Sequence, residues 1–530
     1  MTITSFAFIL FVFLLLIIYY FAPKKLQWVI LLVFSLLFYV LSSKWGIIYI
    51  LVTASSIYGA AIIIENNSNK SKEYIKENKT FLSKEERTKY NKQNKKKRKL
   101  ILVSTIILNI AILCTLKYSH FAIDQINNVL SWFGIGAFEN DFTWLVPLGL
   151  SFYTFQAIGY ISDVYWNKIP AQRNYLKMLL FISFFPQVTQ GPISEYKQLS
   201  SELFKEHYFT YENYSRGMQR MVWGFFKKMV ISNMLAPYVN DIFANYNNYI
   251  GVTCFVGIIA HSIQLYADFS GYMDIMCGIC EALNIRLAEN FKRPFFSKSI
   301  SEFWRRWHIT LGKWVKTYIY YPLCLSKGLM TISKKSNKRF GKFVADCITT
   351  TIALTVVWFI IGFWHGASWG YIVWGLLMGL IIIVSNWLEP FYKRVRIILH
   401  MCNSNFFWKC FRILRTCLLF SFIEVIPEVG TLSNGLGLIQ RVFTNFSLPT
   451  DLRDIFTIMD RTDRIFYLLL FASIILLFVV SLIQRKNQIR YYYNKIPLII
   501  RIVLISLFVL FILVLGLKGN SAGGFMYAKF

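Results

Sequence analysis

Apolar runs follow one another along the whole chain, near residues 5–22, 26–43, 46–64, 99–117, 144–162, 174–190, 219–243, 252–283, 345–363, 367–388, 412–428, 465–484 and 497–517. Each spans or nearly spans the ~30 Å hydrocarbon core of a bilayer, which takes about 20 residues of helix. The pattern predicts an all-α polytopic integral membrane protein, one domain over residues 1–530, with about 11–13 transmembrane or re-entrant helices. The first run, "SFAFILFVFLLLIIYYFA", has no Lys or Arg before it and no small-residue cleavage site after it, so it reads as a retained span.

Two strongly basic stretches interrupt this pattern. Residues 66–99 hold 13 Lys/Arg against 4 Glu, end in "KQNKKKRK" and show no apolar face. They read as a solvated cytoplasmic loop or helical hairpin, whose charge also suits anionic lipid headgroups. A second basic loop is expected at 326–342, "SKGLMTISKKSNKRFGK". With both inside, three spans precede the first basic stretch and the N-terminus falls outside. Arg485, Lys486, Arg490, Lys495 and Arg501 lie before or at the start of the last run, which puts the tail 518–530 outside as well.

Composition agrees. Hydrophobic residues make up 56% and charged residues only 16%, below the usual quarter or so. The net charge of +30 would suggest nucleic acid in a soluble protein. Here the basic residues sit in short connections between apolar runs, so the bilayer is the expected partner and nucleic acid is not. Cys277 and Cys280 form a CxxC with no second ligand pair nearby, so they read as buried small hydrophobes and no metal site is expected.

Candidate chemistry rests on two of the six histidines, because few other groups here act as bases near neutral pH. In "SEFWRRWHITLGKWVKTYIYYPL" (301–323), Trp304, His308, Leu311 and Val315 share one face of a predicted helix, with Trp307 beside it. Arg305, Arg306, Lys313 and Lys316 take the other sides. Such a helix suits the membrane interface or a partly wet cavity, with His308 either a working group or an incidental member of an anchor. His365 stands among apolar and small residues in "WFIIGFWHGASWGYIVWGLLMG" (358–379), where an ionisable group is costly and therefore a functional candidate. The alternative is a hydrogen-bonded histidine that locks helices together. Gly362, Gly366 and Gly370 recur every four residues, a strip that admits a close neighbour. "GASWG" matches a hydrolase nucleophile elbow, but Ser368 lacks the strand–turn–helix context that the elbow needs. His308 precedes a cytoplasmic loop and His365 ends an apolar run leading away from it, so the two suit one path from the inner to the outer face.

On these residues the chain resembles the membrane-bound O-acyltransferase (MBOAT) family. It is most similar to the branch of alginate and peptidoglycan O-acetyltransferase membrane subunits. The resemblance is carried by "VPLGLSFYTFQAIGYISDVYW" (146–166), "FISFFPQVTQGPI" (181–193), "YADFSGYMDIMCGICEALNIRLAENFKRPF" (266–295), "SISEFWRRWHITLGKWVKTYIYYPL" (299–323) and "IGFWHGASWGYIVWGLLMG" (361–379). It implies the MBOAT fold and a membrane acyltransferase that acetylates an exported or cell-wall polysaccharide. By resemblance, His365 of FWHG and His308 of RRWH are catalytic. Asp268, Ser270, Asn290, Trp304, Arg305, Arg306 and Trp364 become pocket or scaffold positions. No bound cofactor is implied. The donor would be a cytoplasmic thioester, most simply acetyl-CoA, and the partner a secreted or membrane-anchored SGNH-type transferase or esterase. The tail "GGFMYAKF" resembles an aromatic–Tyr–x–x–Phe motif of this branch, which implies a transient acyl carrier at Tyr527. Residues 418–428, "LLFSFIEVIPE", depart from the family pattern, and the 66–99 insertion is long. Two other readings stand beside this one: D-alanyl transfer to teichoic acids by a sister branch, and a transporter or flippase with a histidine proton relay. The second lacks the inverted repeats expected of it.

Overall fold

A computed structural model describes residues 1–140, 146–398, 405–448, 464–485 and 489–518. Every regular element among them is helical. In chain order these are α1 Phe6–Phe21, α2 Gln27–Ser43, α3 Ile47–Glu77, α4 Lys84–Trp132, α5 Leu150–Tyr165, α6 Tyr175–Ser183, α7 Phe185–Val188, α8 Tyr196–Leu203 and α9 Tyr211–Phe225. A π-helical segment, Phe226–Ser232, leads into α10 Asn233–Ala244, followed by α11 Gly251–Ala282. Then come α12 Ile300–Trp304, α13 Ile309–Val315, α14 Tyr321–Cys324, α15 Lys327–His365, α16 Trp369–Trp387, α17 Glu389–Ile398 and α18 Phe406–Glu424. The last are α19 Leu432–Thr444, α20 Arg464–Ile483, α21 Ile489–Tyr493 and α22 Leu498–Lys518. Seven described helical stretches are long and apolar enough to cross a bilayer. The chain is a multi-pass membrane protein. The tail bearing Tyr527 lies outside the described residues.

The chain forms two compact units, residues 1–217 with 279–288, and residues 218–278 with 289–530. In the first, α3 and α4 run past their apolar parts as a helical hairpin. Its polar arm extends 13 residues beyond Ile64 along α3, about 20 Å at 1.5 Å per residue. A capping box between Ser83 and Glu86 starts α4. Tyr74 stacks on Tyr90 at 4.6 Å, and Asn94 Nδ2 donates to the Asn67 carbonyl at 2.9 Å. The basic stretch 66–99 is thus the hairpin of the two expected forms. His207 serves packing in the same unit. It is fully buried, its Nδ1 lies 2.6 Å from the Tyr19 hydroxyl, and the Gln27 carboxamide brackets its backbone. Burial pushes its pKa down to about 4.

The second unit departs from the expected pattern in three places. The segment predicted as one helix through His308 breaks: α12 ends at Trp304, and His308 sits at the start of α13 in a left-handed conformation. The shared face of Trp304, His308, Leu311 and Val315 therefore does not exist. The stretch 326–342 is helical from Lys327, with a non-helical Gly341 inside it, because Ser326 caps its first turn. Finally, the glycine strip is split. Gly366 ends α15 and Ser368 caps α16, which accounts for Ser368 without any nucleophilic role.

The split makes a helical hairpin, and its close approach depends on two glycines. A Cβ on Gly362 would lie 2.5 Å from the Tyr371 carbonyl oxygen, and one on Gly375 would lie 2.4 Å from that of Trp358. Neither distance is tolerable, so both positions must lack a side chain. Gly375→Leu is expected to cost about 1–3 kcal/mol through overpacking. The measurement is thermal unfolding of the purified chain in detergent. An unchanged transition would mean the two helices do not pack as described.

Candidate active site

His308 is 2% exposed, with φ 46° and ψ 52°. For a residue with a Cβ this conformation costs roughly 1–2 kcal/mol, so the surroundings must enforce it. Asn290 supplies that enforcement. Its carbonyl accepts from Ile309 N at 3.0 Å, and its Oδ1 accepts from Thr310 N at 3.0 Å and Thr310 Oγ1 at 2.6 Å. Its Nδ2 is satisfied in turn by Met273 Sδ at 3.4 Å. Just upstream, Lys292 N donates to the Arg306 carbonyl at 2.9 Å. The chain around 290–292 thus lies along 306–310 and fixes the turn that presents the imidazole. Phe269 meets that ring edge-on at 5.0 Å. Burial pushes the His308 pKa down to about 3, which keeps it neutral near pH 7.

His365 is the last residue of α15 and 6% exposed. Trp364 and Trp374 stand edge-on to its ring at 4.8 and 5.0 Å, and Tyr371 lies nearly parallel at 6.5 Å. Trp304 meets Trp358 at 5.0 Å and Trp374 at 5.8 Å. Ring contacts then run from Trp304 to Phe303, from Phe303 to Trp307, and from Trp307 to Phe269 beside His308. A continuous aromatic chain therefore joins the two histidines, with each pair adding about 0.5–1.5 kcal/mol beyond its buried area.

The other predicted positions take different places. Arg305 is exposed and donates to Ser301 Oγ at 3.2 Å. Arg306 pairs with Glu302 at 2.6 Å. Asp268 and Ser270 hold lysines of the π-helical segment. Asp268 Oδ1 accepts from Lys228 Nζ at 2.6 Å, and Ser270 Oγ accepts from Lys227 Nζ at 2.9 Å. Lys227 also reaches Asp274 at 2.6 Å, and Arg220 bridges Asp274 and Glu289. These two residues, expected as pocket or scaffold positions, thus anchor the π-helical segment to α11. The approach is close because Gly224 faces Gly271: a Cβ on Gly224 would lie 2.6 Å from the Gly271 carbonyl oxygen.

Sequence reasoning missed Lys227 and Lys228, although two adjacent lysines within an apolar run were a visible signal. It also missed His261, buried on α11 against Phe243 at 5.1 Å, and the pair Trp374 and Glu424, joined by a 2.7 Å hydrogen bond. Among the described residues no three His, Cys, Asp or Glu side chains group as a metal site.

Two buried, aromatic-lined histidines thus sit at the two ends of one run of ring contacts in a multi-pass helical membrane protein. Residues 168–423 match the model of the MBOAT, membrane-bound O-acyltransferase family. The chain is 36% identical over 279 residues to a probable alginate O-acetylase, AlgI, of Pseudomonas putida, covering 53% of each chain. It is 33% identical over 316 residues to a peptidoglycan O-acetyltransferase of Helicobacter pylori, covering 54% of this chain and 56% of the relative. A teichoic acid D-alanyltransferase of Bacillus subtilis is more distant, at 27% over 255 residues, 47% of this chain and 61% of the relative. The chain spans about half the length of the curated O-acetylating relatives it matches.

The left-handed turn gives a direct test. His308→Gly fits the backbone without strain, whereas His308→Ala keeps the Cβ. The glycine variant is expected to be the more stable of the two by about 1 kcal/mol. Detergent melting curves of the two proteins compare them, and an alanine variant as stable as the glycine one would remove the left-handed turn.

Proposed function

We propose that this protein is an acyltransferase that takes an acetyl group from a cytoplasmic thioester, most simply acetyl-CoA. It passes that group toward a hydroxyl on an exported or cell-wall polysaccharide. The observation that carries this reading is the pair of buried histidines joined by continuous aromatic contacts. The names of the alginate- and peptidoglycan-acetylating relatives support the substrate class.

In the proposed step, neutral His365 accepts the proton of the attacking hydroxyl as its oxygen adds to the thioester carbonyl. The carbon–sulfur bond breaks, the acyl group stays on oxygen, and the thiolate leaves. The imidazolium returns the proton to sulfur, so no net proton is gained or lost. General-base help of this kind contributes typically about 10²–10⁴-fold. His308 positions or polarises the thioester. Arg305 and Arg306 attract an anionic donor headgroup, with Trp304 and Trp364 lining the approach. Asp268, Ser270 and Asn290 support this pocket from behind.

The setting proposed is a bacterial cytoplasmic membrane with both termini outside. Tyr527, in the tail, would receive the acetyl group as a phenolic ester and release it to a secreted or membrane-anchored SGNH-type transferase. A phenolate is a better leaving group than an alkoxide, so the second transfer stays easy.

Three measurements test this reading. His365→Ala is expected to lower acyl transfer by about 10²–10⁴-fold, with expression and melting temperature retained. His308→Ala is expected to cripple it too. Wild-type turnover in the purified His365 variant would discard the base assignment. Tyr527→Phe keeps the ring and removes the hydroxyl, so polymer acetylation should stop. Normal acetylation, with no acetyl group on the intact protein by mass spectrometry, would leave the tail an anchor. Label drawn only from a D-alanyl carrier protein would move the activity to D-alanyl transfer.

A further inference from the structure

Helix α18 touches both histidine segments with one face. Cys417, Phe420, Ser421 and Glu424 recur at three- and four-residue spacing, so they point the same way. Cys417 Sγ lies 3.3 Å from the Phe295 carbonyl oxygen. Ser421 Oγ is 2.7 Å from Ser262 Oγ on α11. Phe420, fully buried, packs on Phe303 at 4.2 Å, on Trp307 at 5.4 Å and on Trp304 at 6.3 Å. Phe303 and Trp304 end α12, and Trp307 stands in the turn that leads from it to His308.

One helical turn further, the same face reaches the other histidine. Glu424 Oε2 accepts from Trp374 Nε1 at 2.7 Å. Trp374 is 3% exposed and stands edge-on to His365 at 5.0 Å. Glu428 repeats the arrangement four residues on, since its Oε1 accepts from the Tyr371 hydroxyl at 3.1 Å. Two carboxyl groups, one at the end of α18 and one just beyond it, therefore hold, by their polar tips, two of the rings that line His365.

An indole packed only by its faces can slide and rotate in its plane. A hydrogen bond from its N–H to a fixed, buried carboxyl oxygen stops that motion. The ring edge that Trp374 presents to His365 is then fixed, and with it the direction of the imidazole. General-base transfer needs that direction held to a fraction of an ångström.

We propose that Glu424 is a positioning residue for His365: through Trp374 it sets the orientation of the imidazole, and through its helix it couples that ring to the His308 turn. Glu424 lies one residue beyond the stretch that matches the family model, in the segment that departs from the family pattern. The inference rests on the reading of His365 as the base.

The test uses the full chain in cells and in everted membrane vesicles. Cells report base-labile acyl groups on exported material, whichever acyl group is carried. Vesicles give kcat and KM with radiolabelled acetyl-CoA. Glu424→Leu removes the acceptor and is expected to lower kcat about tenfold, with KM for the donor within about twofold. Glu424→Gln keeps a carbonyl acceptor for the indole and should restore most of that loss. Trp374→Phe keeps a ring but loses the N–H, and should match Glu424→Leu. The double variant should be no slower than either single one, since both remove the same hydrogen bond. In a His365→Ala background, Glu424→Leu should have no further effect.

Each result separates the two claims. If His365→Ala is inactive but Glu424→Leu and Trp374→Phe keep wild-type kcat, the positioning role is overturned and the base assignment stands. If His365→Ala is active, both fall. Additive losses in the double variant, or a loss confined to KM or melting temperature, would make Glu424 a packing residue only. Should Glu424→Leu fail to fold, Trp374→Phe against Glu424→Gln decides the same question.

Discussion

Lys228 and Asp268 lie 2.6 Å apart with 3% and 0% of their side chains exposed. Taking two charges out of water costs several kcal/mol each, and only close pairing with further hydrogen bonds repays it. Ser232 donates to the same carboxylate at 3.2 Å, and the neighbouring Lys227–Asp274–Arg220 set closes in the same way. Removing either partner alone would leave an unanswered charge inside apolar packing. The π-helical segment and α11 are therefore bound to each other in one register. The remaining elements of the site use that register, because Phe269 and Met273 on α11 are the contacts of His308 and Asn290.

The two histidines are supported by different physics. His308 depends on backbone geometry: Asn290 and Thr310 hold a left-handed turn that would otherwise relax. His365 depends on the end of a helix and on rings anchored at their polar edges. Aromatic packing connects the two, so a shift of Phe303 or Trp304 would reach both. Few of these groups could be changed singly without consequence for the others.

Much of this was legible in the sequence. Apolar runs of spanning length gave the helical class, because a bilayer permits few other solutions. His308 and His365 stood out because an ionisable ring among apolar neighbours is expensive. What was not legible is the break at His308. Periodicity extends a helix until a Gly or Pro stops it, and neither lies between Trp304 and His308. The break is imposed by Asn290, eighteen residues upstream, and a window on the local pattern cannot register such a partner. The same holds for Asp268 and Ser270. Their blocks mark them as pocket or scaffold positions, but their lysine partners lie some forty positions away. Glu424 stands in a divergent stretch, and its significance depends on Trp374, fifty residues earlier.

The π-helical segment has a consequence for length as opposed to composition. A wider turn reduces the angle between successive side chains, which lets Lys227 and Lys228, neighbours in the chain, both face α11. In an ordinary helix they would stand about 100° apart, which spreads the two ammonium groups further around the helix. A single-codon deletion within 226–232 would restore the ordinary turn and rotate everything after it. The gene should therefore accept a size-conserving change at an apolar position of this stretch more readily than the loss of any one triplet.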